Sequence, residues 1–162
     1  MQTNSQNELL VKMIITAWQG QNKKLDELIA KLSDEQWNAD TAPGRNSGTY
    51  LLGHLVAVND GMIKLLGFGE KTHPELEAPF LANPDKSGQN FASLADLKKY
   101  WNEINTKLDE SMKALSTDDW FGRHMSISEE DFCKEPHRNK LSILISRTAH
   151  QAYHLGQLAY LS

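Results

Sequence analysis

The stretch LSILISRTAHQAYHLGQLAYL, Leu141–Leu161, decides how this chain is read. Its apolar residues Leu141, Leu144, Ile145, Ala152, Leu155 and Ala159 recur at helical steps along a broad arc. The other side carries Ser146, Arg147, His150, His154 and Gln157. Such a stripe is either a solvated face or a polar seam inside an otherwise buried helix. Ile143 and Leu161 sit within it, where water is unfavourable, and they favour the seam. His150 and His154, at i and i+4, share one face about 6 Å apart, close enough to hold one metal ion.

Three further segments carry the same periodicity. Ser5–Leu32 places Leu9, Leu10, Met13, Ile14, Ala17, Trp18, Leu25, Leu28, Ile29 and Leu32 at steps of three and four. Gly20 is a weak point inside it, worth about 1 kcal/mol against Ala. Ser33-Asp-Glu-Gln36 has the form of a capping box leading to Trp37. Ser47–Gly67 is bounded by a serine N-cap and a glycine stop. Ser93–Leu115 opens on Ser93-Leu-Ala-Asp96, and the last helix spans Asn139–Leu161. No strand alternation competes. The expectation is a single all-α domain over residues 1–162, a four-helix bundle. The long connection 68–92 returns the chain to its starting end, so that the second and third helices run parallel.

Composition narrows the partners. Lys and Arg total 17 against 21 Asp and Glu, a net charge of −4, which leaves no basic footprint for nucleic acid or an anionic membrane. Cys133 is the only cysteine, which excludes an intrachain disulfide and a multi-cysteine zinc site. The N-terminus lacks a basic leader, and the apolar run Leu9–Trp18 is interrupted by Lys12 and Thr16. A cytoplasmic protein without a spanning helix is expected.

His54 lies beside the apolar stripe of the second helix, near Leu51, Val58 and Leu65. It is either a core histidine satisfied by one hydrogen bond or a third ligand. Its axial level is about 10 Å from the start of its helix, and His154 and His150 lie about 10–17 Å from the end of theirs. Antiparallel neighbours would bring all three imidazoles to one height. Three neutral nitrogens with a free fourth position make a catalytic type of metal site.

Other candidates are peripheral. Tyr50, one turn before His54, and Arg147, almost one turn before His150, are placed to line the mouth of a site. Arg147 either pairs with a carboxylate on a neighbouring helix, the commoner use, or receives the anion of a substrate or thiol cofactor. His73 and His124 read as solvated loop residues, and Cys133 and His137 as a loop pair at i,i+4. Asp118-Asp119 reads as a helix-start charge pair. Phe80, Phe91, Trp120, Phe121 and Phe132 are too many aromatics for two solvated linkers, 68–92 and 116–137. They either cap the bundle ends or roof the site.

Gly53-His54-Leu55, together with His150-Gln-Ala-Tyr-His154-Leu-Gly-Gln-Leu158, resembles the DinB/YfiT-like metalloenzyme superfamily over essentially the whole chain. The resemblance implies a bundle of up-down-down-up topology with a long crossover between helices 2 and 3. It also implies a divalent metal on His54, His150 and His154. Zinc or nickel ranks first, then iron or manganese, because imidazole-only ligation does not select one ion. Relatives of this kind include thiol-dependent S-transferases and a thiol-dependent isomerase, and often form homodimers. The implied partners are a small-molecule substrate, a low-molecular-weight thiol and a second copy of the chain. Two reactions stay open: thiol-dependent S-transfer, and hydrolysis by water whose pKa the metal lowers to about 7. A bundle that binds metal without turnover is the alternative.

Overall fold

In the computed structural model, which describes residues 2–162, four long helices and three short ones carry the chain. The long helices are α1 (Gln2–Lys31), α3 (Gly48–Leu65), α4 (Leu94–Lys113) and α7 (Lys140–Leu158). Between them lie α2 (Asp34–Asn38), α5 (Thr117–Trp120) and α6 (Glu129–Lys134). Among the described residues there is no strand, and no helix is long and apolar enough to cross a membrane. The all-α expectation holds, and the helix ends shift by a few residues from those expected.

The caps act as their chemistry requires. Ser47, Ser93 and Asn139 each accept a backbone N–H three residues on, at the starts of α3, α4 and α7. Ser33 and Gln36 form the reciprocal capping box of α2. α3 ends in a Schellman turn: the Phe68 N–H reaches the Ile63 carbonyl at 2.8 Å and the Gly67 N–H the Lys64 carbonyl at 3.1 Å. That turn puts Gly67 at φ +82°, where a side chain would be strained.

α1 buries Val11, Trp18 and Leu25, seven residues apart, and Leu32 just past its end continues the row, whereas Leu9, Leu10 and Met13 from the expected apolar face are exposed. α7 departs from its wheel in the same way. It buries Leu141, Leu144, Gln151, Leu155 and Leu158, while Ile145, Ala152 and Ala159 face outward. The helix is therefore not otherwise buried, and His150 and His154 lie half-buried at the edge of its inner face.

α3 and α7 run antiparallel, with His54 beside His150 and Gly48 beside Leu161. α1 and α4 do so too, with Gln19 on Asp109 and Asp26 on the Trp101 indole. The four long helices meet in a polar clasp. Asn59 of α3 and Asn22 of α1 both donate to Asn105 Oδ1 of α4, and Gln151 of α7 donates to Asn22. Asn105 in turn donates to the Trp101 carbonyl at 2.8 Å.

The connection after α3 is pinned at both ends of that helix. Buried Asp60 accepts the N–H groups of Thr72 and His73 at 2.7 and 2.9 Å, and Asp85 accepts the Ser47 N–H at 2.7 Å. Between these anchors the chain packs along α3 as two short turns, Pro74–Leu76 and Ala78–Ala82. The second turn lays the buried Phe80 ring on Gly53, where a Cβ atom would stand 2.2 Å from the ring.

Candidate metal centre

Two helices supply the three histidines, and their antiparallel packing sets the distances. His150 Nε2 is 3.2 Å from His54 Nε2 and 3.1 Å from His154 Nε2. The three donor atoms all lie within 4.8 Å of one another. Metal–nitrogen bonds of ~2.0–2.1 Å at a tetrahedral angle give an edge of about 3.3 Å, so two of the three spacings already suit one ion.

The outer nitrogens decide the tautomers. His54 Nδ1 is 2.9 Å from the Phe80 carbonyl, an acceptor only, so Nδ1 carries the proton and Nε2 presents a lone pair. His154 Nδ1 likewise donates to Gln157 Oε1 at 2.7 Å. His150 Nε2 has at most one proton for its two neighbours, so at least one short N···N approach sets lone pair against lone pair. His150 Nδ1 is buried with no partner among the described residues. A shared cation satisfies the converging Nε2 lone pairs, and carbonyl groups orienting ligand imidazoles are the usual outer shell of a metal site. The residues present fit a divalent ion.

Burial, then the neighbouring His154, His54 and Arg147, push the His150 pKa down to about 4. Burial foremost also lowers that of His154, against the opposing bond to Gln157. Both rings are neutral at pH 7, the form a ligand needs.

A hollow of about 500 Å³ opens beside the triad, lined by His54, His150, Arg147 and the apolar side chains Ala57, Val58, Leu65, Leu81 and Met125. Leu81 comes from the connection after α3, and Met125 from the connection before α7. The Met125 N–H donates to the Leu65 carbonyl at 2.9 Å, which ties that wall to the end of α3. None of Phe80, Phe91, Trp120, Phe121 and Phe132 lines this hollow, so these aromatics do not roof it. Phe80 and Trp120 are buried in the core instead, and Phe91 is exposed.

The remaining candidates separate cleanly. Arg147 lines the hollow and, among the described residues, has no carboxylate within 4.0 Å; the expected partner on a neighbouring helix is not there. Tyr50 points elsewhere. Its hydroxyl donates to the Asn83 carbonyl at 2.8 Å and its ring packs against Phe80. Cys133 is exposed on α6 and does not join His137 in any cluster of three metal-ligating groups among the described residues. Asp119 closes a capping box with Ser116 at the start of α5, as its spacing suggests.

His73 and His124 are not solvated. His73 stacks on Tyr100 with ring centroids 3.7 Å apart and lies between Glu75 and Glu103. His124 is only 5% exposed, and its Nδ1 accepts the Ser126 N–H at 3.2 Å, which fixes the Met125–Ser126 wall. Sequence reasoning missed the two groups that orient the ligands. Gln157 stood in the motif three residues after His154, at helix-contact spacing. The Phe80 carbonyl is a backbone atom and had no signal of its own.

The sequence model of the DinB superfamily matches residues 17–158. A crystal structure described as the conserved protein of locus from Enterococcus faecalis superposes with a TM-score of 0.63 at 15% identity, covering 93% of each chain. That likeness is one of fold. No curated protein matches the chain.

Proposed function

The chain belongs to the DinB superfamily, and from that premise we propose that it is a metal-dependent enzyme that joins a small thiol to a small electrophile. The observation that carries the reading is the convergence of three Nε2 atoms, with the outer nitrogens of His54 and His154 held by the Phe80 carbonyl and Gln157. His54, His150 and His154 would hold one divalent transition ion, zinc or nickel first. When bound, the ion supplies a Lewis acid that favours the deprotonated form of a donor at neutral pH.

The chain's own residues favour S-transfer over hydrolysis. Among the described residues the hollow is lined by Lys64, Lys71 and Arg147 and by no Asp or Glu; the two lysines pair with Glu70 and Glu77, which leaves Arg147 as the uncompensated cation. Cationic surroundings favour a thiolate, which is its own nucleophile. Hydrolysis would rest on metal-bound water alone, since among the described residues no lining carboxylate offers a general base. Leu65, Leu81 and Met125 offer the electrophile an apolar wall.

The test uses tag-free protein loaded with zinc or nickel, with cysteine and 1-chloro-2,4-dinitrobenzene. A carbon–sulfur bond forms, the carbon–chlorine bond breaks, chloride leaves and the thiol proton passes to buffer. Thioether formation above that of chelator-treated protein is the expected result. Turnover confined to 4-nitrophenyl acetate would replace S-transfer by hydrolysis. Stoichiometric metal with neither activity would leave a non-catalytic binding protein.

We also propose that the chain is a homodimer through the outer faces of α1 and α7. Met13, Tyr153 and Tyr160 are 60%, 65% and 80% exposed, and Leu9, Leu10 and Ile145 are exposed with them. Ala149, Ala152 and Gly156 on the outer face of α7 leave room for close approach, and no exposed position of that helix from Leu141 onward is charged. Light scattering at micromolar concentration is expected to give about twice the 18.3 kDa chain mass, and the double substitution Ala149→Glu/Tyr153→Glu to give the single-chain mass. A wild-type mass of one chain would end this assignment.

A further inference from the structure

Three cations line the hollow, and they are not equivalent. Lys64 is paired with Glu70 at 2.9 Å and Lys71 with Glu77 at 2.6 Å. Arg147 has neither an ion pair nor a side-chain hydrogen bond among the described residues, although it is half-buried and burial lowers its pKa. A guanidinium drawn partly out of water without a partner is unfavourable, and its planar fork matches a carboxylate with two parallel hydrogen bonds. Arg147 precedes His150 by three residues on α7, so both side chains lie on one helix face and open into the same hollow. Apart from the two paired lysines, the imidazoles of His54 and His150, and Ser126, the wall is apolar, with Val58, Leu65, Leu81 and Met125 as its large side chains. A few placed polar groups beside an apolar wall are the usual arrangement for a small ligand.

We propose that Arg147 anchors the carboxylate of a substrate whose apolar body fills the hollow against Val58, Leu65, Leu81 and Met125. This rests on the hollow being the substrate's seat, and it narrows the electrophile to small apolar carboxylic acids. The anchoring itself requires no metal, which allows the two ideas to be separated.

The probes are 4-phenylbutanoate and its neutral amide, titrated by calorimetry or NMR into chelator-treated protein, so that no carboxylate can bind an ion. The acid is expected to bind at least ten-fold more tightly than the amide. Arg147→Gln should abolish that preference, and Arg147→Lys, which keeps the charge and loses the fork, should retain only part of it. Lys64→Gln should change it less than two-fold. The melting temperature of each variant checks its fold. Equal binding of acid and amide, binding of neither, or a preference that survives Arg147→Gln would each overturn the proposal. So would an equal loss in Lys64→Gln, which would point to a general cationic field. An acid that binds only after metal is restored would also overturn it, while leaving the metal reading intact. Absence of metal binding, with the Arg147-dependent preference present, would remove the metal reading and leave this one.

Discussion

Replacing His54 with alanine is expected to lower affinity for a divalent ion by more than about 100-fold, since even the outer-shell partners of ligand histidines are worth ~10–100-fold. The substitution leaves His150 and His154, one turn apart on a single helix, as a two-donor site. His54 is half-buried, and its ring makes two polar contacts, one to the Phe80 carbonyl and one to His150. Its loss should therefore cost the metal-free fold little and the loaded fold much. Metal per chain, measured on tag-free protein, and competition against a chelator of known affinity are the readouts. A His54→Ala protein that keeps wild-type metal content would show that the three-histidine centre does not exist.

Phe80→Ala should destabilise the protein by about 3–5 kcal/mol, the range for truncating a buried aromatic. Against a total stability of ~5–15 kcal/mol, that is a third or more of the margin. The ring is fully buried and rests on Gly53, where a Cβ would lie 2.2 Å away. Gly53→Ala alone should therefore cost about 1–3 kcal/mol by overpacking. In the Phe80→Ala background the same change meets empty space, and the better helix propensity of alanine, ~1 kcal/mol, should make it neutral or favourable. Denaturant melts of the four proteins give the coupling directly. Additive effects would mean that the ring-on-glycine contact does not fix the turn that holds the His54 carbonyl partner.

Much of this could be read beforehand because helices advertise themselves through periodicity and caps. Ser33, Ser47, Ser93 and Asn139 stood at the right positions, and each accepts the backbone donor its chemistry predicts. The three histidines were legible for a similar reason: a wheel angle and an axial level are both functions of residue number. What escaped was set by neighbours far away in the chain. A wheel cannot say which side of α7 meets α1 and α3, so Ile145 and Ala152 were placed inside. His124 is in a loop as expected but is not solvated, because its burial depends on how 116–137 folds back. The aromatics of the two connections could equally cap the bundle ends or roof the site; Leu81 and Met125 form the wall instead, and a lone aliphatic in a loop carries no mark. For Arg147, the frequency of surface ion pairs pointed to a carboxylate that the neighbouring helices do not offer.

The clasp of Asn22, Asn59, Asn105 and Gln151 has a consequence for how this protein tolerates change. Aliphatic side chains can slide past one another by a fraction of a turn at little cost, but directional bonds between four helices cannot. Asn59 is five residues from His54, and Gln151 adjoins His150, so the clasp acts as a gauge block set one turn from the imidazoles. A library that randomises only the aliphatic core should yield many folded proteins, each with a single set of histidine ring resonances. One that makes the four amides aliphatic should also yield folded bundles. Their histidine resonances should be broadened or multiple, because nothing then holds four cylinders at one vernier setting.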